Sequence, residues 1–188
     1  MTDFHKKYPN LFQEVTWSCG PTEARFLILE DPPPSQLIAN VNLVPRLDDQ
    51  WIVLRHEDGS WDLPGGTLEK GEGYMDTLQR ELLEEAGAKL VSFSFFGAWH
   101  CTSLASKPYR PHLPHPEYYR IIGVGQIEII QSPTNPPGGE VIVTVEPVSL
   151  EGACKRFEST GRSDLAELYQ LAWEISNNDL VKYRRKTK

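Results

Sequence analysis

Between residues 66 and 88 the chain carries Gly66, Glu72, Arg80, Glu81, Leu82, Glu84, Glu85, Gly87 and Ala88 in the spacing G-x5-E-x7-R-E-U-x-E-E-x-G-U, with U aliphatic. Seven fixed letters at roughly 6% background each would arise by chance in such a chain on the order of once in a million. The stretch constrains the fold first. From Gly73 to Ala86 there is no proline and little β-branching, so a helix of about four turns is expected. Met75, Leu78, Leu82 and Ala86 form one apolar stripe, which must face a core. Glu81, Glu84 and Glu85 share an arc of about 100° on the flank of that stripe. Like charges that close oppose helix formation, so something cationic has to offset them. A hard divalent cation with oxygen ligands, Mg²⁺ or Mn²⁺, is the natural occupant. Arg80 projects about 100° away from Glu81, which suits it to reach Glu72 rather than the trio.

The glycines around the helix argue against a merely solvated acidic face. Leu63-Pro64-Gly65-Gly66 turns a strand into a loop where backbone can approach a ligand closely, and Gly87 suits a left-handed helix cap. The whole pattern resembles the box of the Nudix hydrolases, departing only at Ala88, where the family usually has Ile, Leu or Val. The resemblance implies an α/β/α sandwich with a mixed β-sheet and cleavage of a nucleoside diphosphate linked to another moiety. It implies metal at Glu81, Glu84 and Glu85 together with the carbonyl of Gly66. It also implies a structural ion pair between Glu72 and Arg80.

A chain of 188 residues is ample for one domain with a real core. Lys+Arg 19 against Asp+Glu 26 gives a net charge of −7, which disfavours nucleic-acid or membrane-surface binding. No stretch is apolar enough for a membrane span, and three cysteines without paired spacing fit a reduced, cytoplasmic protein.

Along the chain, residues 1–23 read as irregular, with a short helix near Tyr8 to Gln13. Strands are expected over Arg25–Glu30, Leu37–Val44, Trp51–Arg55, Trp61–Leu63, Leu90–Trp99, Tyr118–Ile130 and Val141–Val145. Asp58-Gly59 marks a hairpin, and helices are expected from Leu150 to Phe157 and from Ser163 onward. Strands around one helix, followed by terminal helices, make an α/β chain. Residues 1–36 form an extension packed on or extending the domain, 37–178 the domain, and 179–188 a basic, frayed tail. The early strand either extends the sheet or pairs with a second copy to make a homodimer.

Around the box the candidates are less specific. In the resembled family a fourth acid or general base often precedes the last strand, where Glu140 stands. Glu117, Glu128 and Glu146 compete with it. Ser106 to Glu117 is a long connection stiffened by four prolines, expected to wall the substrate pocket. There Arg110 and Lys107 could hold phosphate, and Tyr109, Tyr118 or His112 could stack on a base or ribose. Arg55 is a further phosphate candidate, whereas Trp51 and Trp61 suit the core. His100, Cys101, His112 and His115 match no structural zinc spacing. The expected activity is a Mg²⁺- or Mn²⁺-dependent pyrophosphohydrolase acting on a small nucleotide. A catalytically silent nucleotide sensor is one alternative. An isomerase of isoprenoid diphosphates, needing a reactive Cys101, is the other.

Overall fold

The computed structural model describes residues 3–17, 20–136 and 141–186, with side chains through Asn177. Glu140 and Cys19 lie outside the described residues. The centre is a mixed sheet with the strand order β1-β2-β8-β9-β3-β4-β10. The strands are β1 (Val15–Trp17), β2 (Thr22–Ile28), β3 (Ile38–Leu47), β4 (Gln50–His56), β5 (Trp61–Asp62), β6 (Gly65–Thr67), β7 (Ala88–Leu90), β8 (Ser94–Ser103), β9 (Glu117–Ile129) and β10 (Ile142–Val148). β3 and β9 run parallel, and the other pairs are antiparallel.

One feature of this sheet makes the site. On its far side from β9, β3 meets β4 only at Arg46 and Leu47, whereas Asn40, Val41 and Asn42 pair with β6. The two partners share one edge of β3 at different ends, and Pro64 sits between them with its carbonyl accepting from Leu43 N. The sequence Leu63-Pro64-Gly65-Gly66 permits this crossover. Gly65 adopts φ +151°, and a Cβ there would stand 2.3 Å from the Val41 carbonyl oxygen.

Helices cover both faces, giving the α/β/α sandwich. α1 (Phe4–Lys7), α2 (Pro9–Phe12), α4 (Leu150–Ser159) and α5 (Ser163–Lys186) lie on one face, around a core that includes Tyr8, Leu11, Phe26, Phe157, Leu168 and Tyr169. On the other face α3 (Tyr74–Ala86) buries Leu78, Leu82 and Ala86 against Val41, Leu43, Ile52 and Ile121. Each fully buried leucine of that stripe contributes about 2 kcal/mol. Met75 is only half-buried, and Thr77 takes the remaining inward position. α3 starts at Gly73, whose N–H donates to Asp76 Oδ2 at 3.1 Å, and ends at Gly87 with φ 59°.

Four expectations need correction. Residues 15–17, read as irregular, form β1, and β2 begins at Thr22 rather than Arg25. The run Leu90–Trp99 is broken: Val91 N and Ser92 N both donate to Gln126 O, and β8 starts only at Ser94. α5 continues to Lys186, through residues read as a frayed tail.

Residues Lys7 to Leu11 are tied to the last helix. Tyr8 Oη donates to Glu174 Oε1 at 2.9 Å, and Lys7 pairs with the same carboxylate. Leu11 N donates to Glu167 Oε2 at 2.8 Å, and Asn10 Nδ2 to Glu167 Oε1 at 2.5 Å. Through these contacts α1 and α2 lie across α5, and β1 extends the sheet beside β2.

Candidate active site

α3 and β6 together assemble the acidic centre. Glu85 Oε2 accepts from Gly65 N at 3.0 Å. The Glu81 carboxylate packs directly on Gly66, where a Cβ would stand 1.9 Å from Glu81 Oε1. Only a residue without a side chain lets this carboxylate reach the β6 backbone.

Arg80 is the counter-charge of the group. Its Nε and Nη2 grip Glu72 at 2.9 and 3.1 Å, while Nη1 reaches Glu81 at 2.8 Å and Glu84 at 3.3 Å. Nη2 also donates to the Thr67 carbonyl at 3.4 Å. The helical-wheel expectation that Arg80 would leave the trio alone is therefore corrected. The guanidinium is long enough to span the 100° between neighbouring positions and still hold Glu72. Glu72 also accepts from Glu69 N and Thr77 Oγ1, at 2.9 and 2.8 Å.

The electrostatics follow. The hydrogen bond from Arg80 holds the Glu72 carboxyl down at about 2, against the desolvation that would raise it. Burial pushes the Glu81 carboxyl up, with Arg80 countering and Glu84 and Glu72 adding repulsion. A depressed folded value stabilises the protein above the ordinary carboxylate value of 4.5, and that contribution is lost as pH falls from there toward 2. Melting temperature should therefore fall over this acid window. Glu72→Gln should flatten that slope, and differential scanning calorimetry from pH 6 to 2.5 measures it. An unchanged slope in Glu72→Gln would assign the acid sensitivity to other carboxylates.

Among the described residues no three His, Cys, Asp or Glu side chains close around one metal position. The donor set nevertheless fits a hard cation. Glu81 and Glu85 present carboxylate oxygens against the Gly65–Gly66 backbone, and Glu84 adjoins them through Arg80.

This centre opens into a cleft of about 1020 Å³ lined by Gly65, Gly66, Arg80, Glu81 and Glu85. Arg110, from the proline-rich connection, also lines it. The sites read from sequence divide at this point. Tyr109 is 82% exposed and lies outside the cleft lining, with Arg110 stacked on its ring. His112 Nε2 donates to the Leu68 carbonyl at 2.9 Å, which ties the connection to the residue after β6. Arg55 stacks on Trp61 and also lies outside the lining, although its neighbour His56 is within it. Cys101 is fully buried, with its thiol pushed up to about 12 by desolvation, so it offers no thiolate for isomerase chemistry.

Other cleft residues went unread in the sequence. Cross-strand register puts Thr67, Asn40, Arg120 and Trp99 in one row across β6, β3, β9 and β8. All four line the cleft, as do Asn42 and Trp17. No local pattern could have found them, because each is set by a partner strand distant in sequence.

A family model described as the NUDIX domain matches residues 37–170. A Bacillus subtilis protein provisionally named as an 8-oxo-dGTP diphosphatase is 32% identical over 73 residues, 39% of this chain and 46% of that protein. An RNA pyrophosphohydrolase of Ruthia magnifica subsp. Calyptogena magnifica is 37% identical over 83 residues, 43% of this chain and 42% of that protein. The chain thus spans less than half the length of these curated relatives. Among solved structures, a NUDIX hydrolase from Nitrosomonas europaea superposes with a TM-score of 0.55 at 20% identity, over 73% of this chain and 88% of the other. A mutant of a Bacillus subtilis pyrophosphohydrolase superposes with a TM-score of 0.51 at 20% identity, over 86% and 99%. Both share the fold.

Proposed function

We propose that this chain, which belongs to the NUDIX family, hydrolyses a pyrophosphate bond in a nucleoside diphosphate linked to another moiety. The observation that carries the reading is the meeting of Glu81 and Glu85 with the Gly65–Gly66 backbone at the floor of one large cleft. Nudix hydrolases generally use divalent metals, and we assign Mg²⁺ or Mn²⁺ here. Glu81, Glu84, Glu85 and the Gly66 carbonyl would hold the cation. When bound, it neutralises diphosphate charge and acidifies a water.

The chain's own residues do the rest. Gly65 N–H fixes the Glu85 carboxylate, and Arg80 ties helix α3 to the loop through Glu72. Arg110 and Arg120 put positive charge on the cleft wall of an acidic protein, which favours entry of a polyanion. Water attacks phosphorus, the bridging P–O bond breaks, and a glutamate accepts the proton released. Glu140 remains our candidate for that base, outside the described residues. Among the described residues on either side of it, the Asn135 amide exchanges two hydrogen bonds with Ile142 at 2.9 and 3.0 Å. Thr134 N also donates to the Glu84 carbonyl at 2.9 Å, which brings Thr134 to the end of α3.

The test is a product screen over nucleoside diphosphate derivatives and nucleoside triphosphates with Mg²⁺ or Mn²⁺. At least one compound should be cut at its pyrophosphate, and chelation should abolish cleavage. No cleavage with either cation would overturn the reading. On an active compound Arg110→Ala should raise KM several-fold with a smaller effect on kcat, because a wall contact contributes uniform binding. That loss should shrink as salt rises, and unchanged constants at low salt would remove Arg110 from the site.

A further inference from the structure

We propose that Arg120, clamped beneath Trp17, is the base-reading residue of this cleft and selects a purine bearing adjacent acceptors at O6 and N7. The proposal rests on the reading above that the cleft takes a nucleotide, and it concerns residues that the acidic centre does not use.

Three observations lead to it. The first is the state of the guanidinium. Its Nε is buried and, among the described residues, has no hydrogen-bond partner. No described carboxylate pairs with it either. The enclosed Nε is closed to a ligand, but Arg120 lines the cleft and its Nη donors have no hydrogen-bond partner among the described residues, so it is these two that are left to meet acceptors on a ligand.

The second is its orientation. Trp17 stacks over the guanidinium, 5.0 Å from ring centroid to Cζ, and Trp99 is its cross-strand neighbour. Stacking covers a face of the planar group and leaves its N–H donors to act in the plane. An in-plane pair of donors calls for an in-plane pair of acceptors. Guanine presents such a pair at O6 and N7, whereas adenine has a donor in place of O6.

The third is position. Arg120 lies two strands from Thr67 along one row, through Asn40. At about 4.8 Å per strand it is about 10 Å from β6, the strand that meets Glu81 and Glu85. That is the separation between a reacting diphosphate and the base attached through its ribose, rather than between adjacent phosphates. Trp17 belongs to β1, outside residues 37–170 matched by the family model. Selection here therefore uses a segment that the family domain does not supply.

The experiment compares guanine, adenine and 7-deazaguanine nucleotides, the last having carbon and hydrogen in place of the N7 acceptor. Wild-type protein should prefer guanine to both by at least about tenfold in kcat/KM, within the range for one bidentate base contact. A guanine oxidised at C8 carries hydrogen on N7 and should lose the same advantage. Arg120→Lys keeps the charge without the planar donors and should bring guanine within about twofold of adenine, chiefly through KM. Trp17→Ala should erode the preference in the same direction.

Equal treatment of guanine and 7-deazaguanine by wild-type protein overturns the proposal, and this arm needs no variant to fold. A loss in Arg120→Lys that is the same for every base also overturns it, assigning Arg120 to phosphate. If no nucleotide is cleaved, the hydrolase reading fails separately. Calorimetric titration with GDP, ADP and 7-deaza-GDP then decides the base-reading assignment by the same ratios.

Discussion

Replacing Glu85 by Gln is expected to lower turnover at least about a hundredfold while leaving the protein folded. The fold should survive because the glutamine side-chain oxygen can still accept from Gly65 N, the 3.0 Å contact that joins α3 to β6. What is lost is a negative charge at the place where a hard cation needs an anionic oxygen. Removing one charge from the crowded helix flank also relieves repulsion, so the cation-free melting temperature should stay level or rise. Single-turnover rates with saturating Mg²⁺ or Mn²⁺ and thermal melts without it measure the two effects. A Glu85→Gln protein with full cation-dependent activity would remove the α3 carboxylates from the chemistry.

The largest expected effect on stability comes from Gly65→Ala, and the adjacent Gly66→Ala should behave differently. At Gly65 an added Cβ meets backbone: the Val41 carbonyl at 2.3 Å and the Asn42 Cα at 2.6 Å, at a φ of +151° that other residues rarely adopt. Neither neighbour can yield without opening the β3–β6 pairing. The cost should be roughly 2–4 kcal/mol, combining backbone strain and overpacking. For a domain of this size that means a fall in Tm of about 5–15 °C. At Gly66 the obstacle is the Glu81 carboxylate, 1.9 Å away, which can swing aside on its flexible stem. Gly66→Ala should therefore melt close to wild type but bind Mn²⁺ at least about tenfold more weakly, because a ligand has been pushed from its place. Melting curves and Mn²⁺ titrations of the two proteins provide the test. Equal loss of stability in both would mean that Glu81 is held as rigidly as backbone.

How much of this was legible in the sequence depends on how far each contact reaches along the chain. The α3 helix and the apolar faces of Leu78 and Leu82 follow from local spacing, and the structure places them accordingly, whereas the role of Gly66 is implied by the family resemblance. Arg80 shows where local geometry stops being enough. Helix angles describe where its Cβ points, but the side chain is long enough to reach Glu72, Glu81 and Glu84 together. β1 escaped notice because three residues are too few for an alternating pattern. Arg120 was unreadable for another reason. Its neighbours Asn40 and Trp99 are fixed by the parallel pairing of β3 with β9 and by the β8–β9 hairpin, and its cover comes from Trp17. An arginine inside a strand-like run carries no mark of a cleft. The proline-rich connection drew attention by its composition, yet in it Arg110 lines the cleft while Tyr109 points to solvent.

The ties between Tyr8 and Glu174, and between Leu11 and Glu167, also set an order in time. These pairs are 166 and 156 residues apart, so they close a loop of nearly the whole chain. Closing so long a loop costs entropy with no reward until both ends are built, which makes such contacts late events in folding. During synthesis the segment bearing Asn10 and Leu11, which line the cleft, must wait for α5 to emerge before it has this anchor. The box helix, by contrast, has its partners β3 and β6 at hand early. The acidic centre can therefore assemble before the part of the cleft wall that carries Asn10 and Leu11, and a partly made chain would hold the acidic centre while that side of the cleft stood open.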